Sequence, residues 1–160
     1  MRVQIIPGAY QSNVFVSQGV IEAETLPIVA SAGCDPGVQD MRPWPRYQWS
    51  KRRQRVCVPS RKGAYVELLV EVPATAKYTL DVYLTKASDY ATVGVSIDGT
   101  SVGEPLDCYH SEVMPTGKKQ LGIVDLSHGA HRLRFTAIGK NLQSIGYVMG
   151  IDCLELTPVK

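Results

Sequence analysis

In the second half of the chain apolar and polar residues alternate in short runs punctuated by Gly, Asp and Pro. Alternation with period two marks strands that bury one face, and helical periodicity is nearly absent. The pattern predicts strands at Val20–Glu24, Arg53–Val58, Ala64–Val72, Ala76–Lys86, Thr92–Ile97, Thr100–Val102, Ile123–Leu126, Ala130–Ile138 and Tyr147–Leu156. Asp98-Gly99 between Val93–Ile97 and Thr100–Val102 is a hairpin signal, because glycine takes the positive φ that a tight turn demands. Ser127-His128-Gly129 is a second turn signal. Nothing repeats at a fixed period and no low-complexity linker divides the chain, so the expectation is all-β: a single-domain antiparallel β-sandwich.

One span breaks the pattern. Ala32 to Arg55 is long, polar and rich in Gly and Pro, and reads as an irregular segment. Such segments inside a compact domain are usually functional or disordered. This one carries both tryptophans, Trp44 and Trp49, together with Tyr47, which argues against disorder. It also carries Arg42, Arg46, Lys51, Arg52, Arg53 and Arg55. Interleaved guanidinium and aromatic groups suit uronate or sulfated sugars, and they also suit nucleic-acid phosphate. A solvated loop is the plainer reading.

The acids near the two ends are the other irregularity. As a strand, Val20–Glu24 places Glu22 and Glu24 on one face, and Asp152 shares a face with Leu154 and Leu156. A carboxylate on an apolar face needs a partner, and a hard cation such as Ca²⁺ supplies one. Exposed glutamates, with Asp152 paired to an arginine, are the alternative.

Bulk properties narrow the classes. The chain has 160 residues, 44% hydrophobic and 20% charged, with net charge +2. That suits one globular domain and gives no whole-chain case for nucleic-acid binding. No run of about 18 apolar residues appears, so no membrane span is expected. Gln4, Pro7, Gly8, Gln11, Ser12 and Asn13 interrupt any signal-peptide core. The expectation is a module excised from a longer secreted chain, with an intracellular protein as the alternative. Cys34, Cys57, Cys108 and Cys153 lack metal-ligand spacing with the histidines and form two bridges, one or none.

Together, Glu22-Ala23-Glu24, the Gly63 entry to a long strand, Tyr78-Thr79-Leu80, Asp98-Gly99, Leu106-Asp107-Cys108-Tyr109, Gly139-Lys140-Asn141 and Ile151-Asp152-Cys153-Leu154-Glu155-Leu156 have a familiar order and spacing. They resemble the β-jelly-roll carbohydrate-binding modules of the family 6 and family 35 type, over roughly residues 20–158. The resemblance implies a structural Ca²⁺ held by Glu22, Glu24 and Asp152, with backbone carbonyls completing the shell. It departs at Cys153, where the pattern has an aromatic residue. It also implies a ligand site on loops at one end of the sandwich, with an aromatic pair and an asparagine just before the last strand. Asn141 matches the asparagine, and a turn asparagine bonding its own backbone is the equal alternative. Trp44, Tyr47 and Trp49 are the aromatic candidates, since a flat ring buries the C–H face of a pyranose. Trp49 is equally a candidate to plug the sandwich edge. Arg46 and Tyr109 complete the candidate ligand set, while Tyr90 reads as packing.

A glycosidase needs two carboxylates about 5–9 Å apart across the scissile bond. The central acids sit in turn contexts, with Asp89 and Asp107 read as organising loops, and no Gly-x-Ser-x-Gly, phosphate-loop or His-Glu-x-x-His motif appears. The functional expectation is therefore non-catalytic binding of a polysaccharide or oligosaccharide. The module would tether a larger multidomain protein to glycans in an extracellular, periplasmic or cell-surface setting. A structural or protein-interaction sandwich is the rival reading, and a jelly-roll glycoside hydrolase the third.

Overall fold

The computed structural model of the chain describes residues 20–160 and, before them, only the antiparallel backbone pairing of β1 (Gln4–Ile5) with β2 (Phe15–Val16). The polar interruptions predicted between Pro7 and Asn13 lie outside the described residues. The remaining strands are β3 (Val20–Glu22), β4 (Ile28–Asp40), β5 (Arg53–Val72), β6 (Ala76–Lys86), β7 (Thr92–Ile97), β8 (Thr100–Ser101), β9 (Leu106–Asp107), β10 (Met114–Leu126), β11 (Gly129–Gly139) and β12 (Met149–Pro158). They form one curled antiparallel sheet in the order β10-β6-β12-β5-β11-β7-β8. β3 pairs with β12, β4 with β5, and β9 with β7. The β-sandwich expected from the alternation is the fold observed.

The curl comes from β5. Its first residues pair with β12 (Val56 opposite Gly150), while Tyr65 to Val72 pair with β11. Residues 59–63 between them, predicted as a gap between two strands, are a largely exposed stretch inside one continuous strand. Pro59 and Gly63 explain why period two fails there. The curl lets Leu80, Val82 and Leu84 of β6 face Leu133 and Phe135 of β11 across a shared core. Apolar side chains on the inner face of the curled sheet thus meet and leave water, which is the main stabilising term.

The predicted irregular span is half strand. β4 runs from Ile28 to Asp40 along the edge of β5, with register shifts at Ala32/Cys34 and Cys34/Pro36 that accommodate the glycine and proline. Gly33 adopts φ +75°, and a Cβ there would stand 3.0 Å from the Ala64 backbone, so glycine is required. Only residues 41–52 are irregular. Two further strands were under-read. Ile123–Leu126 is the end of the longer β10, whose central positions are exposed and polar, and β9 is too short for a pattern.

The hairpin at Asp98-Gly99 is as expected, with both residues at positive φ (50° and 85°). Asp98 also binds across the sheet. Its Oδ1 accepts the Arg132 N–H at 2.9 Å, and its Oδ2 lies 2.6 Å from Nδ1 of buried His131. The other ring nitrogen of His131 lies 2.6 Å from the Ser127 carbonyl. Both neighbours are acceptors, so only the doubly protonated imidazolium satisfies both. Burial alone would lower the His131 pKa, but the Ser127 carbonyl and the Asp98 carboxylate outweigh it and hold it above the ordinary value.

This pair makes a pH-dependent contribution. A raised histidine pKa gives stability present below about pH 6.5 and lost as pH rises through the folded value; the lowered Asp98 pKa adds stability lost in acid. His131→Asn is expected to cost about 1–2 kcal/mol near pH 5.5 and distinctly less at pH 9. Denaturant melts at the two pH values check this, and an equal cost at both refutes the imidazolium.

Candidate functional site

Residues 41–52 leave the end of β4, cross the sandwich mouth and enter β5. Trp49 anchors the segment: it is 1% exposed, and its indole Nε1 donates to Thr85 Oγ1 at 2.7 Å. Thr85 in turn donates to Gln54 Oε1, and Gln54 Nε2 donates to Gln39 Oε1 (2.8 Å) and Tyr90 OH (3.2 Å). This buried relay joins β4, β5, β6 and the loop after β6. Gly150 makes room for it, since a Cβ there would sit 2.5 Å from Gln54 Oε1. The edge-plug reading of Trp49 is therefore the one observed. A buried indole whose N–H must be satisfied is chiefly a packing element, and Trp49 reaches the surface only as part of the wall of the Tyr47 depression.

The next residue holds the acids. Ser50 N–H lies 3.1 Å from both carboxylate oxygens of Asp152, and its hydroxyl donates to Glu22 Oε2 in a short hydrogen bond. The geometry departs from a plain strand pair in two places. β3 ends at Glu22, and Ala23–Thr25 form a 3₁₀ turn closed by Leu26 N–H to Ala23 O (3.3 Å) and Thr25 Oγ1 to Glu22 O (2.7 Å). That turn, not strand alternation, brings Glu24 inward. On β12 the register slips between Ile151 and Cys153, two residues against one of β6, so Asp152 occupies a bulge and its side chain is re-aimed.

Glu24 and Asp152 are buried, and Glu22 is half-buried. Glu22 Oε1 and both oxygens of Glu24 are shielded from water without a hydrogen-bond partner among the described residues. Burial, with added repulsion from Glu22, pushes the Glu24 carboxyl up to about 7. Burial pushes Asp152 well above the usual carboxylate range, and the charges of Glu22 and Glu24 push it further. The charge of Arg53 offsets the Glu24 shift only in part. Arg55 Nη2 donates to the carbonyls of Glu24 (3.0 Å) and Leu26 (3.3 Å), not to a carboxylate. Orphaned buried carboxylate oxygens that repel one another are what a hard cation satisfies, so these residues fit Ca²⁺ chemically. As the side chains stand, no three His, Cys, Asp or Glu groups among the described residues form a ready metal-binding set.

The aromatic candidates divide between two depressions. Half-buried Trp44 lines a cleft of about 220 Å³ with Met41 and Val58 on one side and Ala87, Asp89 and Val113 on the other. Half-buried Tyr47 lines a second, of about 190 Å³, with Met41, Arg42, Pro45, Gln48, Trp49 and Arg52. Arg46 is exposed, its guanidinium 5.5 Å from the Tyr47 ring centre and paired with Glu112 at 3.2 Å.

Tyr109 and Asn141 are brought together by Asp107, a residue read from sequence as a loop organiser. Asp107 Oδ1 accepts the Tyr109 N–H (3.0 Å), and Oδ2 accepts the Asn141 amide (2.8 Å). Asn141 Oδ1 accepts the Gln143 N–H at 2.9 Å, the turn role, which leaves one amide hydrogen free. Segment 87–90 connects the two groups: Ala87 bridges to Tyr109, and Ser88 O accepts Ile145 N–H at 3.0 Å. The structure thus joins Tyr109 and Asn141 through Asp107 and connects Tyr109 through Ala87 to the Trp44 cleft, while Tyr47 and Trp49 line the other depression. Sequence reasoning missed Thr85, Gln54 and Ser50; each is a short or polar residue whose role depends on a contact at least 28 residues away.

No family model matches the chain, and no curated protein does. Solved structures share the fold. A Paenibacillus xanthan lyase aligns over 99% of this chain and 18% of its own length, with TM-score 0.75 and 19% identity. The CBM36-1 domain of a multidomain xylanase from the hindgut metagenome of Trinervitermes trinervoides aligns over 88% of this chain and 97% of its own (TM-score 0.56, 12% identity). The C-terminal CBM6 of LamC, a marine laminarinase from Zobellia galactanivorans, aligns over 86% and 97% (TM-score 0.51, 13% identity). The fold is therefore the β-sandwich of carbohydrate-binding-module domains. The chain spans about a fifth of the xanthan lyase it matches.

Thr85→Val, nearly isosteric, would leave the Trp49 N–H and Gln54 without their shared partner. The expected loss is about 2–4 kcal/mol in chemical denaturation, the cost of stranding two buried polar groups. A loss under about 0.5 kcal/mol would show that the relay does not hold the loop.

Proposed function

We propose that this chain is a non-catalytic carbohydrate-binding module that tethers a larger, glycan-active protein to its polysaccharide outside the cell. The observation that carries this reading is the Trp44 cleft. A half-buried indole lies beside the Asp89 segment at the end of the sandwich where the loops gather, over a floor fixed by the Trp49 relay. An aromatic face with a few polar neighbours is the chemistry of a sugar subsite. Tyr47, Tyr109 and Arg46 extend the rim. Asn141 serves chiefly to hold it, with one amide hydrogen left for a hydroxyl. Both oxygens of Asp107 are engaged in loop contacts, which favours binding over acid–base chemistry. The shared fold with carbohydrate-binding-module domains supports the same reading, and so does the match to part of a longer lyase.

In the same proposal a structural Ca²⁺ sits among Glu22, Glu24 and Asp152, outside the ligand cleft. The glutamate side chains would swing towards Asp152 to complete the set. Adding Ca²⁺ should raise the melting temperature and EDTA should lower it, by about 2.7 kcal/mol of stability at a hundredfold excess over Kd. Glu24→Gln should abolish the response. An unchanged melting temperature in the wild type would remove the metal from the account.

A second reading rests on a separate observation. Leu142 is 99% exposed and Ile145 82% exposed in the loop before β12, a feature of protein-contact surfaces. A glycan array probed with wild type and Trp44→Ala separates the two. Retention of glycans by the wild type, reduced at least tenfold in the variant, is the expected result. No glycan retained in Ca²⁺, together with a stable dimer in solution, would favour the interaction module.

A further inference from the structure

Trp49 sets the direction of the buried relay, because an indole N–H can only donate. Thr85 Oγ1 accepts it, so the Thr85 hydroxyl hydrogen goes to Gln54 Oε1. Gln54 therefore turns its amide nitrogen the other way. It spends one hydrogen on Gln39 Oε1 (2.8 Å) and the other on Tyr90 OH (3.2 Å). A flipped Gln54 amide would face Thr85 with a donor and strand the hydroxyl hydrogen, and both residues are fully buried.

The consequence appears at the far end of the relay. Gln39 has its oxygen fixed on Gln54, and its Nε2 donates neither hydrogen to another described residue. The Tyr90 hydroxyl accepts from Gln54 and likewise keeps its own hydrogen unspent among the described residues. Burial pushes the Tyr90 pKa up to about 12, so the group remains a donor. Gln39 and Tyr90 both line the Trp44 cleft. Apart from Asp89, the rest of the wall is apolar, with Met41, Val56, Val58, Val113 and Val148 beside the indole. Asp89 is half-buried, and its carboxylate makes no hydrogen bond or ion pair among the described residues.

Trp44 suits the C–H face of a pyranose, but the aliphatic part of the wall does not suit hydroxyls. A hydroxyl both donates and accepts, and against valine and methionine it loses water without replacement. An acetyl group has the complementary pattern. Its carbonyl oxygen only accepts, which matches two unspent donors, and its methyl is apolar.

We propose that the Trp44 cleft recognises an acetyl group carried by the sugar that stacks on Trp44. The carbonyl oxygen sits between Gln39 Nε2 and the Tyr90 hydroxyl, and the methyl packs against Val58 and Val113. Where the acetyl is carried on nitrogen, the amide N–H donates to Asp89; an ester offers no such hydrogen. The inference rests on the carbohydrate-binding reading above and names the ligand class of that same cleft.

Two matched pairs test it, measured with Ca²⁺ present. Chitohexaose is compared with cellohexaose, which carries a hydroxyl in place of each acetamido group. Acetylated glucomannan is compared with the same polymer after alkaline deacetylation. In at least one pair the acetylated member should bind about tenfold more tightly, the scale of one net hydrogen bond. A preference in the first pair alone assigns the amide, and in the second alone the ester. Gln39→Glu keeps an oxygen for Gln54 but replaces the donor facing the ligand with an acceptor, so it should bring the ratio close to one. Val58→Thr is nearly isosteric at an exposed position, and it should lower the ratio about threefold by placing a hydroxyl against the methyl. If Gln39→Glu does not fold, the threonine variant decides alone. Equal binding within both pairs, or a preference that survives both substitutions, overturns the acetyl site and leaves the carbohydrate reading standing. If no member of either pair binds, the carbohydrate reading itself falls, and this inference with it.

Discussion

The contacts of Ser50 with Asp152 and Glu22 are the constraint on which the loop end depends. Residues from β3, β12 and the irregular segment meet at a single seryl group, which supplies two donors to carboxylates that would otherwise stand in a dry site. The adjoining residue, Trp49, is sunk into the core. Two successive residues therefore pin residues 41–52 from below, one by burial and one by charge. The left-handed turn at Lys51-Arg52 is held by the Trp49 and Met41 backbones, and the Tyr47 and Trp44 depressions adjoin the pinned segment, with Met41 in the wall of both.

The same segment separates charge across its thickness. Beneath it lie Glu22, Glu24 and Asp152, two of them with carboxyls pushed upward by burial and mutual repulsion. Above it lie basic side chains, two with no carboxylate partner among the described residues. A cation beneath the segment would remove the repulsion and stiffen the ridge without occupying the Trp44 cleft. Stiffening matters for weak ligands, because each mobile side chain ordered on binding subtracts from affinity. Metal and glycan would then be coupled through the loop and not through direct contact.

How much of this was legible in the sequence follows from the range of the interactions. Alternation in Tyr78–Leu84 and Val93–Ile97, and the Asp98-Gly99 turn, depend on neighbours one to three residues apart, and they appear as the pattern implies. The acids at Glu22, Glu24 and Asp152 do converge, but by a 3₁₀ turn and a bulge that period two cannot express. β4 escaped notice because an edge strand with one half-exposed face and internal Gly and Pro lacks alternation. The Thr85–Gln54 relay escaped because nothing local marks a polar residue as buried. Both the indole that plugs and the indole that faces a cleft look alike in sequence; which is which was decided by Thr85 on another strand.

The binding surface itself can be located by adding a short oligosaccharide to isotopically labelled protein in the presence of Ca²⁺ and following backbone and indole resonances. The account predicts that perturbations concentrate at Trp44, Tyr47, the 87–90 segment and Tyr109, with the Trp49 indole unmoved. Perturbations centred on Leu142 and Ile145, or on the face of the sheet away from the loops, would contradict it.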